Sequence, residues 1–258
     1  MLIATAVEGN NQIFLLAFAV VDQENTKSWR WFLTCIRHYV TRRQGICLIS
    51  DRHASIKAAM GNDNPWWRPP YAYHVYCLRH VISNFNKAIN DAKLKKMATR
   101  AGMQRQIRKF DRDMRRIEEL SPTAADWLKK ISVEKWTAAH DGGRRYDIMT
   151  TNLSECFNDV LKNARFLPIT ALVQLTFFRL VTYFEQRRTW TEGAIGRGEK
   201  FTPHVVGLMS QRRSRASSHQ VTGYNTATRL FQVQTAPHGP YMSKGNNVQV
   251  CPYVLICL

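Results

Sequence analysis

The chain has 258 residues, with 37 Lys plus Arg against 19 Asp plus Glu, a formal net charge of +18. Hydrophobic residues at 45% and aromatics at 11% exclude wholesale disorder, and no run reaches the roughly 18 uncharged apolar residues of a membrane helix. The excess positive charge points to a polyanion, nucleic acid first; a charge kept for solubility is the bland alternative. The length suits one large domain or two small ones. Six scattered cysteines suggest a reducing compartment. The apolar opening, Met1 to Val7, lacks a basic leader and does not read as a secretory signal.

In chain order, Leu2 to Val7 and Gln12 to Val21 read as two β-prone runs around a Glu8-Gly9-Asn10-Asn11 turn, an antiparallel hairpin that would be largely buried. Trp29, Phe32, Leu33, Ile36, Tyr39 and Val40 recur at helical spacing, with Asn25 or Thr26 placed to cap. Ile46 to Ser50 is a short strand running into Asp51. A helix is expected from about His53 to Met60, a strand over Tyr71 to Tyr76 and a helix over Leu78 to Asn90. This β-β-α-β-α-β-α order predicts an α/β sandwich.

From Asp91 to Leu120 the composition changes. Lys93, Lys95, Lys96, Arg100, Arg105, Arg108, Lys109, Arg112, Arg115 and Arg116 crowd a proline-free, helix-compatible stretch. A solvated helix face is the commoner reading of such a run; this density of cations also fits contact with phosphates. Leu153, Cys156, Phe157, Val160, Leu161 and Ala164 form one amphipathic stripe. Ile169 to about Gln186 is apolar nearly all round and is expected to be a buried helix. Beyond Trp190 the Arg212-Arg213-Ser214-Arg215 region reads as a linker, with a short strand at Phe231-Gln232-Val233.

Three places carry candidate chemistry. Asp51 ends a strand and opens a helix, a position from which α/β sheets hold metals over a crevice; equally, Asp51 or Ser50 could simply cap the next helix. Glu155 sits three residues after the N-cap candidate Asn152, so a capping box explains it as well. Cys77 and His80 form a C-x2-H pair with His74 nearby. Structural zinc takes four ligands, and no second pair stands at a convincing spacing. No G-x-S-x-G, phosphate-binding loop or dinucleotide fingerprint is present.

Taken together, these pieces resemble a known family. Leu2 to Asn11, Phe14 to Ala19, Ser28-Trp29-Arg30-Trp31-Phe32, Ile49-Ser50-Asp51-Arg52, Cys77-Leu78-Arg79-His80 with Asn84-Phe85, Arg145 to Asn152, Ser154 to Asn158 and Ala164 to Thr170 are similar to the core of plant Mutator-like element (MULE) transposases. The likeness covers roughly residues 1 to 190. It implies a fold similar to RNase H and a DDE triad in which two Asp and one Glu hold two divalent ions, Mg²⁺, for DNA cleavage and strand transfer. On that view Asp51 matches the second acid and Glu155 the third, both catalytic and metal-binding. Cys77 and His80 match the family's C-x2-H signature, and the basic residues between 93 and 116 lie on its helical insertion.

The resemblance divides the chain into an RNase H-like part over 1–90, a basic helical insertion over 91–148, core helices over 149–190, and a tail over 191–258. The tail resembles the run-up to a SWIM-type zinc finger at Lys244 to Asn247. The family's first acid lies on a strand before the hairpin, and neither Glu8, Asp22 nor Glu24 occupies its place. The expectation is therefore a truncated, catalytically inactive relative that works in the nucleus on double-stranded DNA. A homo-oligomer is possible; no membrane and no small-molecule substrate are implied. The alternative is a transposase-derived DNA-binding or transcription-regulatory module without catalysis.

Overall fold

The computed structural model describes residues 1–61, 64–151, 166–217, 219–226, 230–235 and 246–249. Its contacts divide the chain into one unit of Met1–Thr5 with Leu15–Phe178 and another of Ala6–Phe14 with Arg179–Leu258.

Strands β1 (Leu2–Val7) and β2 (Ile13–Ala19) form a two-stranded sheet, and the short link between them makes it an antiparallel hairpin. Asn11 turns the corner at φ 59, with its N–H donating to the Glu8 carbonyl at 2.9 Å; asparagine tolerates that left-handed geometry. Helix α1 (Thr26–Cys35) starts at Asn25, whose side chain accepts from the Ser28 N–H at 2.9 Å. The expected helix to Val40 does not stay regular. Residues Ile36–Val40 widen into a π-helical turn, closed by the Thr41 N–H on the Ile36 carbonyl. The wider turn breaks the three-to-four-residue stripe. Accordingly Phe32, Leu33 and Ile36 are buried, while Tyr39 is 80% exposed.

Strands β3 (Ile46–Ser50) and β4 (Ala72–Tyr76) pair in parallel, from Ile46 opposite Ala72 to Ser50 opposite Tyr76. Helix α2 (Ala54–Ala59) crosses between them, as a parallel connection requires. Both two-stranded sheets contribute to one core with α1 and α2, built on Leu2, Ala19, Phe32, Leu33, Ile56 and Trp67. The α/β character matches the expectation. The hairpin and the parallel pair remain separate sheets among the described residues.

Helices α3 (Leu78–Ile89), α4 (Ala92–Met103), α5 (Ile107–Leu120) and α6 (Pro122–Lys129) follow with short connections. Asn90 ends α3 at φ 53. Asp91 caps α4 through the Leu94 N–H at 2.8 Å, and Ser121 caps α6. Their core includes Val81, Phe85, Ala98, Ile117, Leu128 and Trp136. Gly102 sets the approach to α3: a Cβ there would lie 2.5 Å from Leu78 Cδ1 and 3.3 Å from the Trp136 ring. Asp113 is fully buried; Arg100 donates to its two oxygens at 3.0 and 3.1 Å, and Gln104 donates at 2.8 Å.

Helix α7 (Ile169–Gly196) is longer than expected and is not a buried rod. Leu172, Thr176 and Ala194 are buried, but Phe177, Phe178, Val181 and Phe184 are exposed. Its apolar residues surround the axis instead of making a stripe, so one packing face leaves the others uncovered.

The second unit also departs from the linker reading. Helix α8 (Pro203–Ala216), capped by the Thr202 side chain, carries Arg212 and Arg213. Strands β5 (His219–Asn225), β6 (Leu230–Thr235) and β7 (Asn246–Gln249) then form an antiparallel sheet in that order. Within this unit the hairpin tip is anchored. Glu8 pairs with Arg187 at 3.3 Å, Thr202 Oγ1 donates to the Gly9 carbonyl at 2.6 Å, and Phe14 meets Phe184 edge-on at 4.6 Å. The expected helix over Leu153 to Ala164 lies outside the described residues, as do Cys251 and Cys257.

Candidate nucleic-acid site at the end of strand β3

Parallel pairing carries β3 and β4 to a common end, where Ser50, Asp51, Tyr76 and Cys77 meet. The Cys77 N–H donates to the Ser50 carbonyl at 2.7 Å, extending the ladder by one bond. Asp51 is half-buried there, and its Oδ1 accepts from the His53 N–H at 3.0 Å. The cap of α2 is His53, whose Nδ1 accepts from the Ser55 N–H. Asp51 thus shapes the turn before the helix through Oδ1, and its second oxygen has no hydrogen-bond partner among the described residues.

Beside it lies a pair that sequence reading did not single out. Ser50 Oγ and His74 Nε2 are 2.8 Å apart, and the same hydroxyl donates to the Asp51 carbonyl at 2.7 Å. With its proton committed to that carbonyl, Ser50 must accept from Nε2–H. His74 is therefore in the tautomer that cannot take the hydroxyl proton, and the pair is not a nucleophile with its base. Burial, with the Lys135 ammonium second, pushes His74 down to about 4. The register could have flagged this contact, since Leu48 pairs with His74 and Ser50 lies two residues farther along the same face.

The outer edge of β4 is sealed by cationic side chains. Lys135 Nζ donates to the His74 carbonyl at 2.7 Å, and buried Arg145 donates to the Tyr76 carbonyl at 3.0 Å and the Lys135 carbonyl at 2.6 Å. Burial lowers the pKa of both groups, and Lys57 contributes to the lowering at Lys135. Arg144 lies over the Tyr73 ring at 3.9 Å. Beneath these groups burial pushes the Cys47 thiol up to about 11. Cations thus crowd the pair, with Asp141 against Arg145 at 3.9 Å and Asp51 at the strand end.

The C-x2-H pair separates into two roles. Cys77 is fully buried, and its sulfur accepts from the Thr151 N–H at 3.3 Å. The Leu78 N–H donates to the Met149 carbonyl at 2.8 Å. Cys77 thus ties residues 149–151 to the end of β4, just before the stretch that contains Glu155. His80 is half-buried on α3. Glu155 and Cys156 lie outside the described residues. Among the described residues no three His, Cys, Asp or Glu side chains come together to hold a metal ion. Of the two candidate ligands only Asp51 is among the described residues, and Lys57 and Lys135 add positive charge near it.

The ten basic residues of the insertion are all exposed, but they are not equivalent. Arg100 and Arg112 are drawn to buried Asp113, and Arg105 pairs with Asp147 at 2.8 Å. Lys93, Lys95, Lys96, Arg108, Lys109, Arg115 and Arg116 form no ion pair among the described residues. A cavity of about 350 Å³ lies between Arg105, Asp141, Gly143, Tyr146 and Asp147. The Arg105–Asp147 pair cancels its charge, and Asp51 does not line it.

Residues 1–84 match the family model of the MULE transposase domain. The match supports the resemblance to a Mutator-like element transposase, and it takes in both sheets, Asp51 and the Cys77–His80 pair. It stops within α3, before the basic helices. No curated protein matches the chain.

Proposed function

We propose that this chain is a transposase-derived protein that grips double-stranded DNA in the nucleus without cutting it. The observation that carries the reading is the MULE transposase match across the strands that end at Asp51. Seven exposed cations on α4 and α5, with no ion pair among the described residues, support it, because clustered unneutralised charge is the footprint of a phosphate-binding protein. In an RNase H-like core, Asp51 and Glu155 would be two of three acids holding Mg²⁺, and the metal would activate the attacking oxygen when bound. The exposed cations bear on phosphate contact and not on strand transfer, so the reading rests on binding.

The test is fluorescence anisotropy of a labelled duplex with the full chain between 50 and 200 mM NaCl. Binding should weaken steeply with salt. It should survive Asp51→Ala and Glu155→Ala and fall when Lys93, Lys95, Lys96, Arg108, Arg115 and Arg116 are replaced by Ala. Mn²⁺-dependent nicking by the unaltered chain that vanishes in Asp51→Ala would replace this reading with an active DDE enzyme.

A further inference from the structure

Arg52 follows the candidate acid directly, and its side chain is exposed at the end of β3. Its guanidinium lies 5.8 Å from the Tyr76 ring centroid and 5.6 Å from that of Trp127. Tyr76 closes β4, and Trp127 stands on α6, where it meets Phe85 edge-on at 5.5 Å. Two rings from two different elements, one of them braced by the helical core, therefore lie within cation–π reach of one guanidinium. At these distances the rings attract the cation through their faces. Among the described residues Arg52 has no ion pair and no hydrogen-bond acceptor. With no neutralising partner among the described residues, its planar fork of donors matches two oxygens of one phosphate.

We propose that Arg52, attracted by the rings of Tyr76 and Trp127, is a binding residue that takes one backbone phosphate of bound DNA and sets that strand against the end of β3. This rests on the DNA-binding reading above and adds a contact separate from the α4–α5 cations. Lys57 and Lys135 add positive charge near His74 at the same strand end, so a phosphate held by Arg52 enters a favourable field. The aromatic platform is what separates Arg52 from ordinary surface arginines. A structural arginine at this place would have a carbonyl or carboxylate partner, as Arg145 does in the Tyr76 and Lys135 carbonyls.

The experiment uses the full chain and a fluorescein-labelled 30-base-pair duplex, with affinity measured across the same salt range for Arg52→Ala, Arg52→Lys and Trp127→Leu. Each phosphate neutralised by the protein contributes roughly 0.9 to the slope of log affinity against log salt, through the counterions it releases. Arg52→Ala should lower the slope by about one and weaken binding several-fold at low salt. Arg52→Lys should keep the slope, because the charge remains, but bind more weakly, because an ammonium lacks the planar fork. Trp127→Leu should do the same by removing half the platform. Arg52→Ala that matches the unaltered chain in both affinity and slope overturns the proposal while leaving DNA binding intact. An unaltered chain that shows no salt-dependent binding overturns both. Arg52 is exposed, so its variants should keep the thermal unfolding curve of the unaltered chain, which separates loss of contact from loss of fold.

Discussion

Helices α3 to α6 and strands β1 to β4 are both rich in apolar residues, yet they bury them to different extents. Val81, Phe85, Ala98, Ile117, Leu128 and Trp136 are 0% exposed. Along β3, Ile46, Cys47, Leu48 and Ile49 are all only half-buried, and β1 buries Leu2 alone. The helices are consecutive and short-linked, so each finds its packing partner nearby in sequence. A strand buries two faces only when other elements cover both of them. The helical part should therefore carry most of the stability, while the looser strand end offers its side chains to a ligand.

Matched truncations would test that contrast most sharply. Leu128→Ala should cost about 4 kcal/mol, the range for a fully buried leucine that leaves a cavity. Leu48→Ala should cost only about 1–2 kcal/mol, because part of its surface already meets solvent and the site can relax. Urea unfolding of the two variants gives both numbers. Equal costs would mean that the strands are covered as fully as the helices.

The next effect belongs to the strand end and depends on pH. His74 binds a proton at about 4 in the folded chain against 6.5 when unfolded. Between those values the unfolded state holds more protons, so stability is complete above pH 6.5 and falls as pH drops towards 4. The loss should approach about 3 kcal/mol. Carboxylates titrate in the same window, so the comparison is with His74→Gln, whose unfolding midpoint in urea should fall less between pH 7.5 and 4.5. An identical fall in both would show that His74 is not held neutral.

The helical part can also be broken by adding volume. Gly102→Ala places a methyl group against Leu78 and Trp136, and overpacking of this kind costs about 1–3 kcal/mol. Differential scanning calorimetry should show a lower melting temperature, whereas a helix position with room would gain from the same change.

Much of this arrangement was legible in the sequence, and the failures have physical causes. Apolar runs bounded by turn residues located β1 to β4, helical spacing with a cap candidate located α1, and the helix expected over Leu78 to Asn90 is α3. The π-helical turn after Cys35 escaped because Tyr39 and Val40 keep the spacing of a regular helix. Helix α7 misled because a residue that is apolar all round its helix implies burial only if other elements exist to cover it. At the site, Asp51 was visible from its place after an apolar strand. His74 was not, since its partner Ser50 is 24 residues away and meets it only through the parallel register. Arg52 was hidden in the same way, because its platform comes from two distant elements.

The smallest expected effect separates residues that the sequence presents as alike. Arg100 and Arg115 belong to one basic run, and a charge count treats them equally. Arg100 spans from α4 to α5 with two hydrogen bonds to buried Asp113. Burial raises that carboxyl, but bonds from Gln104 and Arg100 outweigh it and hold it below its usual range. Arg115 is exposed and unpaired among the described residues. Arg100→Ala should cost about 1–2 kcal/mol, the worth of hydrogen bonds to a charged group that keeps Gln104 as a partner. Arg115→Ala should stay within about 0.5 kcal/mol of the unaltered chain. In DNA binding the order should reverse: Arg115→Ala lowers the salt slope by about one, whereas Arg100→Ala lowers it less because its charge is already answered by Asp113. If both variants lose the same slope, the ion pair does not withhold Arg100 from phosphate, and the insertion presents one continuous basic face to DNA.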